Sequence, residues 1–485
     1  MDFNTETLIC LAPYIILAVF ATVVVLLPKS NRRLSYILSL VGIGLAGVAS
    51  AMLWGTDTTI LNDSLEINNF SVVVNVIFCL LSFVVVAGSH TFCENLRYTK
   101  DRTREYYALI MFATIGLMAL GSVTDFITLF VAFELVSIAT YVLPLIDCAD
   151  PRGKEAAIKY FLMGAFSSAL ILYGMSLLYG YTGSMNIEVV ASQLAHLETL
   201  FQPIILISVI LMLAGFGYKM ALVPFHLWAP DTYTGSPAPV SAFLAGVTKK
   251  GAFVVSFKVF LIALVALQKD VFIILGIIAI LTMCVGNCVA LMQNSVKRML
   301  AYSSIAHAGY ILVGIAIFTQ MAVAGSLMHI IAHGLMAASG FFVVYLISEG
   351  IGGEDIDDYR GLNKLAPYTA FAFMVILLSL AGVPPFLGFW SKMVMVVASF
   401  QYGGWCIVLA VFLVLNSALS LVFYARVIKT MYMDPPLEAN ANKIVIEKTS
   451  YTVAIYISMI ILTVTGLFPN EILKICTAAV GCLIH

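Results

Sequence analysis

The sequence predicts an all-α polytopic membrane protein, and three observations support that prediction. Of its 485 residues, 61% are hydrophobic and only 11% are charged. The mean hydropathy of +1.02 lies far above the range of soluble globular domains. The apolar residues are gathered in long runs that short polar loops separate, as the hydrocarbon core of a bilayer requires.

The apolar runs divide the chain into membrane spans. A bilayer core about 30 Å thick needs roughly 20 apolar residues per helix, which gives about fourteen spans here. The expected spans lie near residues 8 to 27, 34 to 54, 71 to 91, 106 to 122, 124 to 146, 156 to 180, 203 to 229, 238 to 264, 270 to 292, 299 to 318, 321 to 348, 367 to 401, 405 to 431 and 450 to 468. The first lacks a basic segment and a cleavage site, so we expect a retained helix and not a signal peptide.

The basic residues are distributed unevenly over the loops. With the N-terminus outside, the odd-numbered loops carry seventeen of the 25 Lys and Arg residues, and the even-numbered loops and the C-terminal tail carry only Lys269 and Lys474. Because cytoplasmic loops are enriched in lysine and arginine, this asymmetry predicts a multi-pass protein with both termini outside. The membrane is expected to be a prokaryotic cell (inner) membrane. The expected partner of most of the surface is the lipid bilayer, and no nucleic-acid partner is expected.

Charged residues within the spans are few. A mid-bilayer lysine costs about 2.5 to 3.5 kcal/mol on insertion scales, so it usually faces the bundle interior or water. Lys159 and Lys258 lie near the ends of their spans, where their stems can carry the ammonium group to the interface. Glu134, Lys219 and Lys250 are beyond that reach, and Glu134 is the single carboxylate deep in a span. These three are therefore candidates for function, with Glu134 and Lys219 expected to pair.

Lys249 and Lys250 are adjacent residues on one helix. Successive helical positions are offset by about 100°, so both can hardly face the same partner, and one of them is expected to be secondary. The charge state of a buried lysine depends on its burial and on any nearby carboxylate. Moving that carboxylate switches the lysine between holding and releasing a proton, which predicts ion translocation.

Three histidines lie well inside their spans. The imidazole of His307, well inside its span, titrates near neutral pH and suits a relay between lysines, although a satisfied core histidine is the alternative. His329 and His333 share one helix face at i, i+4. Since no acidic or thiol ligand accompanies them, we expect packing or polar lining and not a metal site.

Two spans contain proline close to a lysine. Pro224 follows Lys219 by five residues, and Pro384 and Pro385 precede Lys392. Proline removes a backbone donor, and discontinuous helices of this kind are where transporters place ion sites. The two spans are five apart, which predicts two inverted five-helix repeats, helices 4 to 8 and 9 to 13, with helices 7 and 12 discontinuous.

This pattern predicts four regions and no redox centre in the chain. The regions are 1–104 with three transmembrane helices, 105–265 with the first five-helix repeat, 266–431 with the second, inverted repeat, and 432–485 with the last helix and tail. The segment GIGLAG matches a dinucleotide-binding pattern but lies inside an apolar span, so it predicts helix packing. We see no CxxC array and no Walker motif, and we expect no cofactor and no metal in this chain.

Four segments together resemble a known family. They are FELVSIATYVLP, GFGYKMALVPFHLWAPDTYTGSPAPVSAFLAGVTKKGAF, VKRMLAYSSIAHAGYILVG and AGVPPFLGFWSKM. This set is similar to the proton-conducting, antiporter-like membrane subunits of complex I, and most of all to the N subunit. The resemblance implies that proton translocation uses the residues matching the family's ionisable positions, which are Glu134, Lys219, Lys250, His307 and Lys392.

The resemblance also implies the setting of the chain. Similar subunits lie beside M- and K-type neighbours in a membrane arm, while other subunits hold flavin, iron–sulfur clusters and a quinone or quinone-like carrier. The electron donor is chosen elsewhere, so NADH, ferredoxin or a deazaflavin all stay open. A subunit of an Mrp-type cation/proton antiporter is the alternative function, and a structural membrane scaffold is a third.

Overall fold

The computed structural model describes residues 5–95, 102–147, 151–196, 202–438, 440, 443, 445, 447 and 449–483. Within them, 13 helices are long and apolar enough to cross a membrane. The all-α polytopic class is therefore confirmed. Outside the two broken spans, the expected boundaries agree with the observed helices to within a few residues.

The first part of the chain contains four helices and two short strands. They are α1 (Thr5–Leu26), α2 (Arg32–Ala51), β1 (Thr58–Ile60), β2 (Leu65–Ile67), α3 (Asn69–Gly88) and α4 (His90–Asn95). The strands form an antiparallel hairpin in which Thr59 lies opposite Glu66. Strands of three residues are too short to give a readable alternation, which is why the sequence did not predict them. We call this side of the bundle the hairpin end.

The second part contains eight helices. They are α5 (Thr103–Ser122), α6 (Phe126–Tyr141), α7 (Pro151–Thr182), α8 (Ile187–Leu194), α9 (Pro203–Met220), α10 (Trp228–Gly235), α11 (Ala238–Phe243) and α12 (Lys249–Lys258). Two π-helical segments, Leu244–Thr248 and Val259–Ala263, flank α12. Small residues let α7 and α9 approach closely, since Ser208 Oγ donates to the Gly174 carbonyl at 2.7 Å.

The third part contains nine helices. They are α13 (Gln268–Leu291), α14 (Val296–Ile317), α15 (Gln320–Ile351), α16 (Leu362–Leu365), α17 (Pro367–Ala381), α18 (Leu387–Tyr402), α19 (Cys406–Tyr432), α20 (Ser450–Leu467) and α21 (Pro469–Val480). Helix α21 lies in residues that were expected to form a C-terminal tail. It contacts the first turn of α15, where Gln320 Nε2 donates to the Thr477 carbonyl at 3.1 Å.

Both expected helix breaks are present. Ala221 caps the C-terminus of α9 and Gly382 that of α17, both in the left-handed conformation, with φ of 55° and 83° respectively. After each of them, the next residue donates its N–H to a carbonyl five positions earlier, as in a Schellman motif. Pro224 and the Pro384–Pro385 pair lie in the connections to α10 and α18. The inverted repeats and the count of fourteen helices stay predictions.

Three spans form the centre of the bundle because the largest share of their residues is buried. They are Ala238–Ala263, α14 and α15. These spans are also unusually polar for their depth. They carry Lys249, Lys250, His307, His329 and His333, all of them buried. The fold therefore places these five titratable side chains in its most buried spans.

Candidate functional site

Glu134 on α6 and Lys219 on α9 are each hydrogen-bonded to hydroxyl groups. Ser168 Oγ donates to Glu134 Oε1 at 2.5 Å. Lys219 Nζ donates to Ser137 Oγ at 2.6 Å and to the Tyr141 hydroxyl at 3.1 Å. Ser137 lies about one helical turn after Glu134, and Tyr141 lies about two turns after it. All three residues therefore share one face of α6.

The expected pairing of Glu134 with Lys219 is electrostatic and not a direct contact. Among the described residues no salt bridge joins the two side chains, and each is bound to a hydroxyl group instead. Glu134 still interacts electrostatically with the Lys219 ammonium group. The faces of Phe133 and Tyr141, with ring centroids 5.1 and 5.4 Å from Nζ, add cation–π contacts.

Lys249 and Lys250 bind different partners, as their angular offset predicts. Lys249 Nζ donates to the Ser304 carbonyl at 2.8 Å. Lys250 Nζ donates to the Ala245 carbonyl at 2.9 Å and lies 2.6 Å from His333 Nδ1. Ala245 lies in the π-helical segment before α12. The two ammonium groups therefore join α12 to two neighbouring helices, α14 and α15.

His307, His329 and His333 form one stacked group. His307 Nδ1 lies 2.9 Å from His329 Nε2. The ring centroids of His307 and His333 are 4.6 Å apart, at an interplanar angle of 25°. His329 and His333 were expected to be packing or polar lining, but they contact His307 directly. Their i, i+4 spacing on one face was the available signal, and the fold was needed to place His307 beside it.

The hydrogen bonds define a consistent set of neutral tautomers for two of these rings. Ser391 Oγ donates to the Gly388 carbonyl at 3.1 Å and lies 2.8 Å from His329 Nδ1. With that hydroxyl proton committed, Ser391 accepts from His329 Nδ1–H, and His329 Nε2 accepts from His307 Nδ1–H. A proton that arrives at His307 can therefore leave along an existing hydrogen bond towards Ser391.

Lys392 on α18 follows Ser391 directly and lies at the second helix break. Its Nζ donates to the carbonyls of Leu380 and Ala381 at 3.0 and 3.3 Å and to Ser417 Oγ at 2.9 Å. It also lies 4.5 Å from the centroid of the Tyr310 ring. The two carbonyls are free because α17 ends there, so the break supplies acceptors for a buried ammonium group.

The remaining two lysines within the spans lie near helix ends. Lys159 Nζ is 2.9 Å from both Glu155 Oε1 and Asp231 Oδ2, and its side chain is 45% exposed, as expected for snorkelling. Lys258 Nζ donates to the Val123 carbonyl at 2.8 Å and lies 3.9 Å from Glu66 Oε2. Its side chain is only 2% exposed, so it reaches the hairpin end without reaching solvent.

The described residues contain no group of three or more His, Cys, Asp or Glu that could hold a metal ion. In the histidine group, His307 and His333 are stacked, and Nδ1 of His307 is engaged with Nε2 of His329. The second contact is suited to passing a proton between neighbouring rings.

Comparisons with known proteins identify the family of the chain. Residues 123–419 match the family described as NADH:quinone oxidoreductase/Mrp antiporter, TM. The F(420)H(2) dehydrogenase subunit N of Methanosarcina mazei is 40% identical over an alignment of 501 positions, which covers 99% of each chain. In the structure of respiratory complex I from Thermus thermophilus with bound aureothin, one chain matches at 30% identity with a TM-score of 0.78, covering 96% of this chain and 99% of that chain.

A chain of the Mrp complex from Dietzia sp. has a TM-score of 0.85 at 20% identity, covering 99% of this chain and 98% of that chain. At that identity the likeness shows the fold alone. The matched residues 123–419 include Glu134, Lys219, Lys250, His307 and Lys392. From the family match and the near-complete coverage of the Methanosarcina relative, it follows that this chain belongs to the family of NADH:quinone oxidoreductase and Mrp antiporter transmembrane subunits.

Proposed function

We propose that the chain is a proton-translocating, N-type membrane subunit of a complex I-type oxidoreductase in a prokaryotic cell membrane. The observation that carries the proposal is the series of titratable groups that runs from Lys219 to Lys392 through the most buried spans of the bundle. Charged groups at such depth are costly and mark ion pathways. Lysine and histidine both exchange protons, and they lie here within contact of groups that can receive them.

The contacts suggest an order of proton transfer. Glu134 and Lys219 form the first station, where movement of the carboxylate changes how firmly Lys219 holds its proton. Lys250 donates to His333, whose ring stacks on His307. His307 is hydrogen-bonded to His329, and His329 reaches Ser391 beside Lys392. The step from His333 to His307 has no hydrogen bond, so it needs a ring rotation or an intervening water.

The proposal includes the surroundings of the chain. Other membrane-arm subunits, including M- and K-type neighbours, flank it, and both termini lie outside. Other subunits hold the flavin, the iron–sulfur clusters and the quinone-like carrier, so this chain carries no redox centre. Regions 105–265 and 266–431 form two inverted antiporter-like repeats, preceded by the three helices of 1–104 and followed by 432–485.

A subunit of an Mrp-type cation/proton antiporter is the second candidate, because the family description includes such antiporters. The fold is common to both candidates and favours neither. The sequence identity favours the oxidoreductase subunit. The chain is 40% identical to a dehydrogenase subunit and 20% identical to the Mrp chain. Purification of the chain from native membranes separates the two. Co-purifying iron–sulfur subunits support the oxidoreductase, and small Mrp-like membrane subunits without redox centres support the antiporter.

Proton translocation itself is tested in the assembled complex. The complex is reconstituted into vesicles, and proton movement is followed with a pH-sensitive dye while NADH or a reduced deazaflavin is oxidised by a water-soluble quinone. We expect acidification that depends on electron transfer and collapses with an uncoupler. A complex that contains this chain and transfers electrons without moving protons contradicts the proposal.

A further inference from the structure

A polar pocket lies where the first turns of α7 meet α10 and α14. Its volume is about 230 Å³, and five charged side chains dominate its lining: Arg152, Glu155, Lys159, Asp231 and Arg298. The pocket is at the end of the bundle that the loop charges predict to be cytoplasmic. None of the residues of the proposed proton pathway lines it, so it needs an explanation of its own.

The charges of the pocket favour an anion. Lys159 Nζ is 2.9 Å from both Glu155 Oε1 and Asp231 Oδ2, so both carboxylates are already paired with one ammonium group. Arg152 on α7 and Arg298 on α14 add two further positive charges. Three basic side chains against two acidic ones leave the lining with one positive charge in excess, which attracts a ligand with one negative charge.

The Arg298 side chain points to the kind of anion. Its backbone N–H donates to Ser295 Oγ, but within the described part of the chain its guanidinium group has no hydrogen bond or ion pair. Guanidinium groups bind phosphate oxygens through two parallel N–H donors, so a phosphate group suits this position. A phosphodiester carries one negative charge, which equals the excess charge of the lining.

The face of α7 that lines the pocket continues as an exposed apolar surface. Met163 and Phe166 follow Lys159 by about one and two helical turns, so they lie on the same face of α7. They are 50% and 63% exposed. Phe166 lies about 10 Å further along the helix axis than Lys159, towards the interior of the span. A phosphate site joined to exposed hydrocarbon fits a ligand that has both a phosphate headgroup and acyl chains.

We propose that this pocket binds the phosphate headgroup of an anionic phospholipid of the cytoplasmic leaflet, and that the acyl chains lie along Met163 and Phe166. Arg298 binds the phosphate oxygens, Arg152 adds positive charge beside them, and Lys159 stays paired with its two carboxylates. Basic pockets between transmembrane helices on the cytoplasmic side are recurrent sites for such headgroups. The inference goes beyond the proposed function, because it concerns lipid binding and does not depend on proton transfer.

The test labels the assembled complex with a photoreactive lipid. The complex is reconstituted into phosphatidylcholine vesicles that contain a small fraction of phosphatidylglycerol with a diazirine on its acyl chain, and peptide mass spectrometry measures labelling of α7 per complex after illumination. We expect label at Met163 and Phe166, and several-fold less from an equally photoreactive phosphatidylcholine. Equal labelling by both lipids overturns the proposal, because it shows ordinary contact with the bilayer. Absence of label overturns it too, because another subunit then covers this face.

Arginine variants test whether the pocket holds the headgroup. Arg298→Gln should lower phosphatidylglycerol labelling about fivefold, as loss of one basic residue near an anionic surface does. Arg298→Lys keeps the charge and should retain most of the label. Arg426→Gln is the matched control, since Arg426 is also exposed and contacts Asn294 at the same end of the bundle, but does not line the pocket. Unchanged labelling in Arg298→Gln, or an equal fall in Arg426→Gln, overturns the proposal.

Free phosphate is the other source of the same anion. Inorganic phosphate at constant ionic strength should leave the phosphatidylglycerol label unchanged, because it has no acyl chains to contact α7. Displacement of the label by inorganic phosphate overturns the assignment to a lipid. The labelling needs no electron transfer, so its outcome is separate from that of the proposed function. Lys219→Met should lose proton translocation and still label like the wild type.

Discussion

His307 Nδ1 lies 2.9 Å from His329 Nε2, so two imidazoles on α14 and α15 share one hydrogen bond in the most buried part of the bundle. A shared N–H···N bond allows a proton to be taken up on one ring while another leaves from the next. On one side of this bond lies the contact between Lys250 and His333. On the other side His329 contacts Ser391, the residue before Lys392.

The first prediction concerns His307. His307→Leu removes the proton-accepting group and should lower translocation per assembled complex about tenfold or more. His307→Gln keeps a polar group that holds a bridging water and should retain part of the activity. Vesicle assays normalised to assembled complex measure both. Equal, near-native rates for the two variants would show that His307 is a satisfied core histidine.

The second prediction concerns the Ser137 hydroxyl group, which accepts a hydrogen bond from Lys219. Ser137→Ala removes this 2.6 Å acceptor of the Lys219 ammonium group. We expect translocation to fall several-fold, with assembly retained, because Tyr141 still binds Lys219. Ser208→Ala is the matched control, since Ser208 is also buried but donates to the Gly174 carbonyl away from the lysines. Similar effects in the two variants would mean that Ser137 acts through packing alone.

The third prediction concerns Gly382 at the second helix break. A Cβ atom there would lie 3.1 Å from Lys392 Cδ and 3.2 Å from both Lys392 Nζ and Ser417 Oγ. Gly382→Ala should therefore displace the ammonium group and strongly reduce translocation, in addition to a backbone cost of about 1 to 2 kcal/mol. Gly352→Ala is the control, because Gly352 ends α15 with φ of 91° and has no atom within 4 Å of its added Cβ. It carries the backbone cost without touching a lysine, so loss of translocation in both variants would assign the effect to strain.

The fourth prediction concerns Lys392→Glu. Glutamate is titratable and leucine is not, so the need for a group that exchanges protons alone favours glutamate over leucine. The contacts favour neither, because Leu380 and Ala381 present carbonyl oxygens and Tyr310 presents the face of its ring. An ionised carboxylate is repelled by all of these groups. We expect Lys392→Glu and Lys392→Leu to lose translocation equally, and recovery with glutamate would show that these neighbours rearrange.

Much of the fold was readable from the sequence for a physical reason. A bilayer imposes long apolar helices, and proline placed the two breaks at Pro224 and Pro384–Pro385 close to where they occur. The hairpin of β1 and β2 and helix α21 were missed. Both are short and carry no long periodic signal, since three-residue strands and a 12-residue helix fall below the length of a span.

The candidate site was predictable residue by residue but not as a set of contacts. Glu134, Lys219, Lys250, His307 and Lys392 stood out because charged or titratable groups are rare in spans. His329 and His333 did not, because their importance comes from the crossing of α14 and α15, which no local pattern encodes. The different partners of Lys249 and Lys250 followed from helix geometry, whereas the small cavity that Lys219 and Lys249 both line depends on the packing of α5, α6, α9 and α12.

The central claim is that protons cross this subunit through its buried lysines, and one measurement tests it most directly. Proton translocation per assembled complex is compared between the wild type and Lys219→Met in the same vesicles, with electron transfer measured in parallel. The account predicts that the fully assembled Lys219→Met complex translocates protons at about one tenth of the wild-type rate or below. A fully assembled Lys219→Met complex that translocates protons at the wild-type rate would contradict it.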